Sequence, residues 1–387
     1  MSRYPRVPLS DIVIEGKPKH VAVDGKKIWN LSLDQIESDS GRILNRVMVS
    51  HDELGPSTYP FSSGTVLYSK LRPYLNKVVV ADGDGFATTE LVSLICNPEK
   101  VIAPYLAYYL RSPEFLSFAN TVVAGAKMPR MVMSEFWRYE IPVPPLPEQR
   151  RITTILDKAD ALRAKRREAL TRVDSLVQSI FVEMFGDPVA GAKGCTPKKL
   201  GDCVSKLEYG PRFYNEAYSS DGVRIVRITD LDQLGSLDFD AMPRMAVDEK
   251  IKTQFVLRPG DIVFARTGAT VGKVALIRES DPPSIAGAYF IRLRFDESVM
   301  PQYAFSVLRA KSVQALIAKQ SRQAAQQNFS GPGLRALPMP VPPMAKQLTF
   351  ATRVEKIWTE RKKFEASLAE MEMLISSLQH RAFSGEL

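Results

Sequence analysis

A chain of 387 residues with 45% hydrophobic content has room for two or three domains with their own cores, which argues against a disordered or fibrous protein. Fifty-two Lys and Arg stand against 43 Asp and Glu, net +9, a moderate excess that suits a polyanionic partner without requiring one. Three cysteines (Cys96, Cys195, Cys203) in no ligand spacing fit a reducing, cytoplasmic setting. The start, Met-Ser-Arg-Tyr-Pro, reads as no secretory signal, and no apolar run approaches a membrane span.

In chain order, the first globular part covers 1–141. Short β-rich runs at 26–31, 65–68 and 77–80 are cut by Gly, Asp and Pro, and Pro104 opens a predicted helix to Arg111. Pro142-Val143-Pro144-Pro145 then leads into a long helical segment, 142–190, that ends at Phe185-Gly186-Asp187-Pro188. The second globular part, 191–339, repeats the order of the first. Gly64–Lys70 aligns with Gly260–Arg266, Leu75–Val80 with Val271–Leu276, and Pro104–Ala107 with Pro301–Ala304. The helical segment repeats at 340–387. Pro142 returns as Pro340, Gln149 as Gln347, Leu176 as Leu374 and Phe185 as Phe383, each 198 positions on. So long a period means two tandem halves, not a solenoid.

Ile152, Ala159, Val173 and Ile180 share one seven-residue position of the first helix, and Ile155, Leu162, Ala169 and Leu176 another. Phe350, Ile357, Phe364, Met371 and Leu378 share one in the second, widened by Val354, Leu368 and Ile375. A seven-residue apolar period is a coiled-coil seam. Glu148 suits the helix N-terminus, and 38 residues from Glu148 to Phe185 give a helix of roughly 57 Å. The expected fold is α+β: two mixed α/β domains in tandem, separated by two long antiparallel helices packed as a coiled coil, with pseudo-twofold symmetry. Packing of each helix on its own globular part, or on a second copy, would bury the same stripe.

Catalytic patterns fail on inspection. Arg266–Lys273 resembles a phosphate loop, but it has three residues between its glycines and Val274 where Ser or Thr is needed, so a β-turn is expected. Asp281-Pro-Pro-Ser284 lacks the aromatic that an amino-methyltransferase stacks on its base. Glu15-Gly16-Lys17 has a nuclease-like spacing with nothing to complete a metal site, and His20, His51 and His380 fall in no ligand spacing. What remains looks like binding apparatus. Tyr68, Lys70, Arg72, Tyr74 and Lys77 in the first half, and Arg266 and Lys273 in the second, mix cations with aromatics at matched turns. Lys127 and Arg130, and then Arg322, Gln323, Gln326, Gln327 and Asn328, form a second pair of clusters. Arg, Gln and Asn can pair with base edges, and Lys and Arg with phosphates. Lys77 and Lys273 are read as phosphate contacts.

The layout closely resembles the DNA specificity subunit of type I restriction–modification systems, from end to end. The most specific stretch is Ile141–Asp160, containing Pro-Val-Pro-Pro-Leu-Pro-Glu-Gln-Arg-Arg, closed by Phe181–Pro188. The second copy departs from it, with Met344-Ala345-Lys346-Gln347 in place of Leu-Pro-Glu-Gln. The resemblance implies a non-catalytic reader of double-stranded DNA, each domain taking one half of a split, asymmetric target, with the helices setting the gap. It implies two methyltransferase subunits and two restriction subunits as partners. S-adenosylmethionine, ATP and magnesium would sit on those partners, and this chain would hold no cofactor of its own. Glu148, Arg163, Arg167 and Gln347 are the expected partner contacts. An adaptor of a methylation-only system, a helical scaffold without DNA, and an enzyme acting alone are the alternatives.

Overall fold

The computed structural model describes residues 3–15, 27–213, 217–232, 234–321 and 328–387. The chain forms two compact units. One comprises Met1–Arg167 with Ala366–Leu387, the other Glu168–Glu365. The boundaries cut through both long helices, Leu146–Phe185 and Met344–Ser384, so neither helix is a separate body.

In the first unit a four-stranded antiparallel sheet runs in the order Val13–Glu15, Leu91–Cys96, Val66–Ser69, Val78–Val80. A second sheet runs Met48–Val49, Ile28–Leu31, Gly85–Thr88, Thr58–Phe61, with one parallel pair, Ile28–Leu31 with Gly85–Thr88. The second unit repeats the first sheet as Val204–Tyr209, Phe290–Phe295, Ile262–Ala265, Val274–Leu276. It repeats the parallel pair as Val223–Val226 with Ser284–Ala286. Val-, Ile- and Phe-rich runs suit these central strands, which are buried on both faces: Val66–Ser69 and Ile262–Ala265 are buried throughout. Short helices follow at matched places, Ala103–Leu110 and Pro301–Arg309, each with a proline in its first turn where no amide donor is lost.

Two devices fix the start of each long helix. Gln149 is fully buried, accepts from the Ile102 amide at 2.9 Å and donates to Lys100 O and Pro144 O at 2.8 Å. Gln347 repeats this, accepting from Met300 at 2.8 Å and donating to Ser298 O and Pro342 O at 2.9 Å. Tyr105 Oη donates to Pro142 O, and Tyr303 Oη to Pro340 O. The equivalent tyrosines are therefore Tyr105 and Tyr303, which corrects the sequence alignment by one position: the first short helix begins one residue before its proline, the second on it.

The helices pack antiparallel within each unit. In the first, Ile152 and Leu156 share a core with Leu378, Ala382 and Phe383, and Phe383 meets Tyr109 edge-on at 4.9 Å. In the second, Val177, Phe181 and Phe185 share one with Phe350, Val354 and Trp358, and Phe185 meets Tyr303 at 4.9 Å. Each helix thus starts on its own half of the chain and ends in the core of the other half. The expected seam is corrected on one side. Leu162 and Leu176 are 56% and 47% exposed, while Leu156, Val177 and Phe181 take the buried stripe. In the second helix Val354 and Ile375 are buried as expected, and Leu368 is half-buried.

Candidate nucleic-acid interface

In the first unit the edge begins where strand Val66–Ser69 ends. A 3-10 turn, Pro73–Leu75, is bracketed by two non-glycine residues in the left-handed region, Arg72 (φ 50°) and Asn76 (φ 48°). Such backbone costs of order 1 kcal/mol or more each and needs external support. Asn76 gets it by donating to Asp39 Oδ1 at 3.0 Å and Arg111 O at 3.1 Å, and the Arg72 amide donates to Pro129 O at 2.7 Å. The last bond, with Met131 N to Lys70 O at 2.8 Å, ties the turn to the hairpin of Val123–Ala124 and Arg130–Met131. The two basic clusters of the first half therefore form one edge. Arg72, Tyr74 and Lys127 are exposed on it and Lys70 is half-buried. Arg130 is held by Glu90, with Nε and Nη2 both donating to its carboxylate at 2.8 to 3.2 Å. That guanidinium draws the Glu90 carboxyl below its ordinary range.

The second unit has the same backbone arrangement. Its loop Arg266–Lys273 is a 3-10 turn, Gly268–Thr270, between two antiparallel strands, as expected for a turn and unlike a phosphate loop. Arg266 lies with its guanidinium 4.8 Å from the Tyr209 ring centroid and donates from Nε to Asn328 Oδ1 at 3.2 Å. Beside it opens a cleft of about 770 Å³ lined by Arg212, Tyr218, Arg227, Thr267 and Tyr289 among others. Arg227 is clamped by the buried Asp230, Nη2 to Oδ1 2.8 Å. Arg322, Gln323, Gln326 and Gln327 lie outside the described residues.

Lys77 and Lys273 need correcting. Lys77 Nζ donates to Leu33 O at 2.7 Å, and Lys273 Nζ to Leu231 O at 3.3 Å. Both ammoniums turn inward and satisfy a loop carbonyl, which explains their recurrence without any phosphate. The four expected partner contacts are also engaged within their units. Glu148 is chelated by Arg151 at 2.8 Å and accepts from Tyr4 Oη at 3.1 Å. Arg163 pairs with Asp160 at 2.7 Å, its side chain only 11% exposed. Arg167 pairs with Glu372 at 3.0 Å, and Gln347 is the buried lock described above. The side of the helix carrying Arg163 and Arg167 faces the first unit's own residues.

Sequence reading missed Glu90, Tyr289, Tyr209, Arg212, Tyr218 and Arg227. Glu90 and Tyr289 directly precede the matched strands Leu91–Cys96 and Phe290–Phe295, and extending the internal alignment into those strands would have found them.

Residues 55–172 match the family model described as the type I restriction modification DNA specificity domain, which gives the class of that stretch. The EcoDI specificity subunit of Escherichia coli is 28% identical over 160 residues, covering 40% of this chain and 35% of its own. The MjaVIII specificity subunit of Methanocaldococcus jannaschii is 24% identical, covering 65% and 63%. The EcoKI specificity subunit of Escherichia coli K12 is 24% identical, covering 76% and 68%. This chain therefore spans about a third of the first relative's length and just under two thirds of the second's. A solved structure from a study of assembly and conformational transition in a type I R-M system shares the fold, TM-score 0.54 at 18% identity, over 99% of this chain and 98% of its own. So does the type I S subunit of M. genitalium, TM-score 0.53 at 12% identity, over 99% and 96%. In sequence the chain is thus similar to type I restriction–modification specificity subunits, and residues 55–172 match their DNA specificity domain.

Proposed function

We propose that this chain reads double-stranded DNA as the non-catalytic specificity subunit of a type I restriction–modification complex. Its two domains, 1–141 and 191–339, each take one half of a split, asymmetric target, and the helical segments 142–190 and 340–387 set the gap. The observation that carries this is the repetition of one backbone frame with different side chains at its edge: exposed Arg72, Tyr74, Lys127 and Arg130 with half-buried Lys70 on one unit, exposed Tyr289 and Asn328 with half-buried Arg266 on the other. One fold with two unlike edges reads two unlike half-sites. Cationic residues take phosphates there, while arginine and asparagine pair with base edges.

Two methyltransferase subunits bring S-adenosylmethionine and methylate adenine. Two restriction subunits bring ATP- and magnesium-dependent translocation and cleavage. The methyltransferase dock includes Leu176 and Leu374, which occupy matched helix positions yet are 47% and 56% exposed. Their recurrence at one matched helix position in both halves is what singles them out among the exposed apolar residues. No helix among the described residues is long and apolar enough to cross a membrane.

The test is fluorescence anisotropy on duplex DNA with the methyltransferase present, together with methylation mapping in a host expressing both. Salt-dependent binding and methylation confined to one split sequence are expected. Methylation without a sequence rule, or no binding at low salt, would refute the assignment.

A further inference from the structure

Three backbone positions recur in both units with the same two hydrogen bonds. In the first, Lys70 N donates to Glu90 O at 3.0 Å, and Lys70 O accepts from Met131 N at 2.8 Å, directly after Arg130. In the second, Arg266 N donates to Tyr289 O at 2.9 Å, and Arg266 O accepts from Phe329 N at 2.7 Å, directly after Asn328. Isolated bridges Leu71–Arg130 and Thr267–Asn328 complete the match. The frame is thus identical in bonding, while its side chains are Lys70, Glu90 and Arg130 in one unit and Arg266, Tyr289 and Asn328 in the other.

The chemistry at these positions is graded. Arg130 spends Nε and one N–H of Nη2 on Glu90, and its Nη1 has no bond among the described residues. A carboxylate that grips one edge of a guanidinium holds the other edge still, at little entropic cost on binding. That free edge offers two donors, the complement of guanine O6 and N7. Asn328 is oriented the same way by the opposite device: Arg266 Nε donates to its Oδ1, and its Nδ2 amide has no bond among the described residues. The remaining Oδ1 lone pair and Nδ2 form an acceptor–donor pair, the complement of adenine N6 and N7. The Arg266 guanidinium is in turn seated on Tyr209.

We infer that positions 130 and 328 are equivalent base-reading positions, Arg130 selecting guanine in the half-site of the first unit and Asn328 selecting adenine in that of the second, with Glu90 and Arg266 as positioning residues. This rests on the DNA-reading function proposed above and assigns its specificity to named atoms.

The test exchanges the two side chains in the full chain: Arg130→Asn and Asn328→Arg, with Glu90→Gln as a third variant. Each purified chain, with its methyltransferase partner, selects from a randomised duplex library, and exchange protection of the Lys70 and Met131 amides checks the frame. Arg130→Asn is expected to change one base pair of one half-site from G·C to A·T, swinging that preference roughly 10- to 100-fold. Asn328→Arg makes the reverse change in the other half-site only. Glu90→Gln keeps guanine but lowers its preference. Variants that keep every wild-type base with the frame intact overturn the inference and leave the function standing, as does a change spread over both half-sites. A wild-type chain that selects no sequence overturns the function itself.

Discussion

Gln347 gives the sharpest stability prediction. It is fully buried, and its amide closes three hydrogen bonds of 2.8 to 2.9 Å to the backbone of Ser298, Met300 and Pro342. Leucine at this position fills much of the volume and removes all three bonds. The Met300 amide and two carbonyls then lack partners in a site closed to water. At about 1 kcal/mol per lost bond, Gln347→Leu should cost about 3 kcal/mol, with part of that relieved by relaxation. The neighbouring Lys346 is exposed, so Lys346→Ala should stay within roughly 0.5 kcal/mol. Urea unfolding gives the totals, and hydrogen exchange at the Met300 amide reports the site. Exchange there should accelerate well ahead of strand Ile262–Ala265. A Gln347→Leu variant with unchanged stability and a protected Met300 amide would show that the glutamine does not anchor the helix, and the matched lock at Gln149 would lose its rationale too.

Lys77→Met and Lys273→Met should each lower stability by about 1 kcal/mol and leave the salt dependence of DNA binding unchanged, whereas Arg72→Ala or Lys127→Ala should reduce the slope by about one; titrations at several salt concentrations separate the two outcomes. Phe383→Ala should cost about 3 to 5 kcal/mol in the first unit, although the residue lies far along the chain from Tyr105 and Tyr109, and Phe185→Ala should do the same to the second unit. Exchange protection mapped by unit would refute this if Phe383→Ala loosened the second unit alone. Burial raises the Asp174 carboxyl pKa, outweighing its pairing with Arg361. A raised folded pKa means the native state binds the proton first, so this group adds stability as pH falls through that pKa toward its unfolded value and loses it as pH rises. Wild type should therefore gain stability on Asp174→Asn as pH is lowered across that window, measured by urea midpoints; an unchanging difference would refute it. Leu176→Asp and Leu374→Asp should leave folding within about 0.5 kcal/mol and weaken methyltransferase binding, measured by co-purification and calorimetry.

The repeat was legible because its anchors are unambiguous residues at one interval, and the long helices because proline starts and a glycine stop frame them. The structure extends the first only to Leu146–Phe185. The seam was only half legible. A count of apolar positions admits Leu162 and Leu176, yet the buried stripe also carries Gln149, Asp174, Gln347 and Arg361, which such a count scores against it. The one-residue slip at Tyr105 and Tyr303 arose from trusting a proline that stands at different positions of the two helix starts. At the interface, sequence found Lys70, Arg130, Arg266 and Asn328 but not which are free. Whether a lysine meets a phosphate or a carbonyl 44 positions away, as Lys77 does, depends on tertiary packing that spacing does not encode.

What recurs and what differs divide along an energetic line. Gln149 and Gln347, Tyr105 and Tyr303, Phe185 and Phe383, and Lys77 and Lys273 are the same residue in both halves, and each is engaged inside its unit. Arg111 and Arg309 join them, both half-buried, with cations 4.7 Å over Tyr108 and 5.2 Å over Phe305. Losing one of the larger anchors costs several kcal/mol, a large fraction of the stability of a typical domain. Positions 70, 90 and 130, and 266, 289 and 328, are joined to one another through backbone bonds, and the side-chain contacts they add, Arg130 with Glu90 and Arg266 with Asn328, lie at the surface, so their side chains change at a cost of roughly 1 kcal/mol or less. A frame built on backbone bonds therefore frees this edge from most of the demands of folding. On the function proposed above, the two halves diverge in what they read while keeping one fold, and a new half-site would need only a few substitutions at the edge.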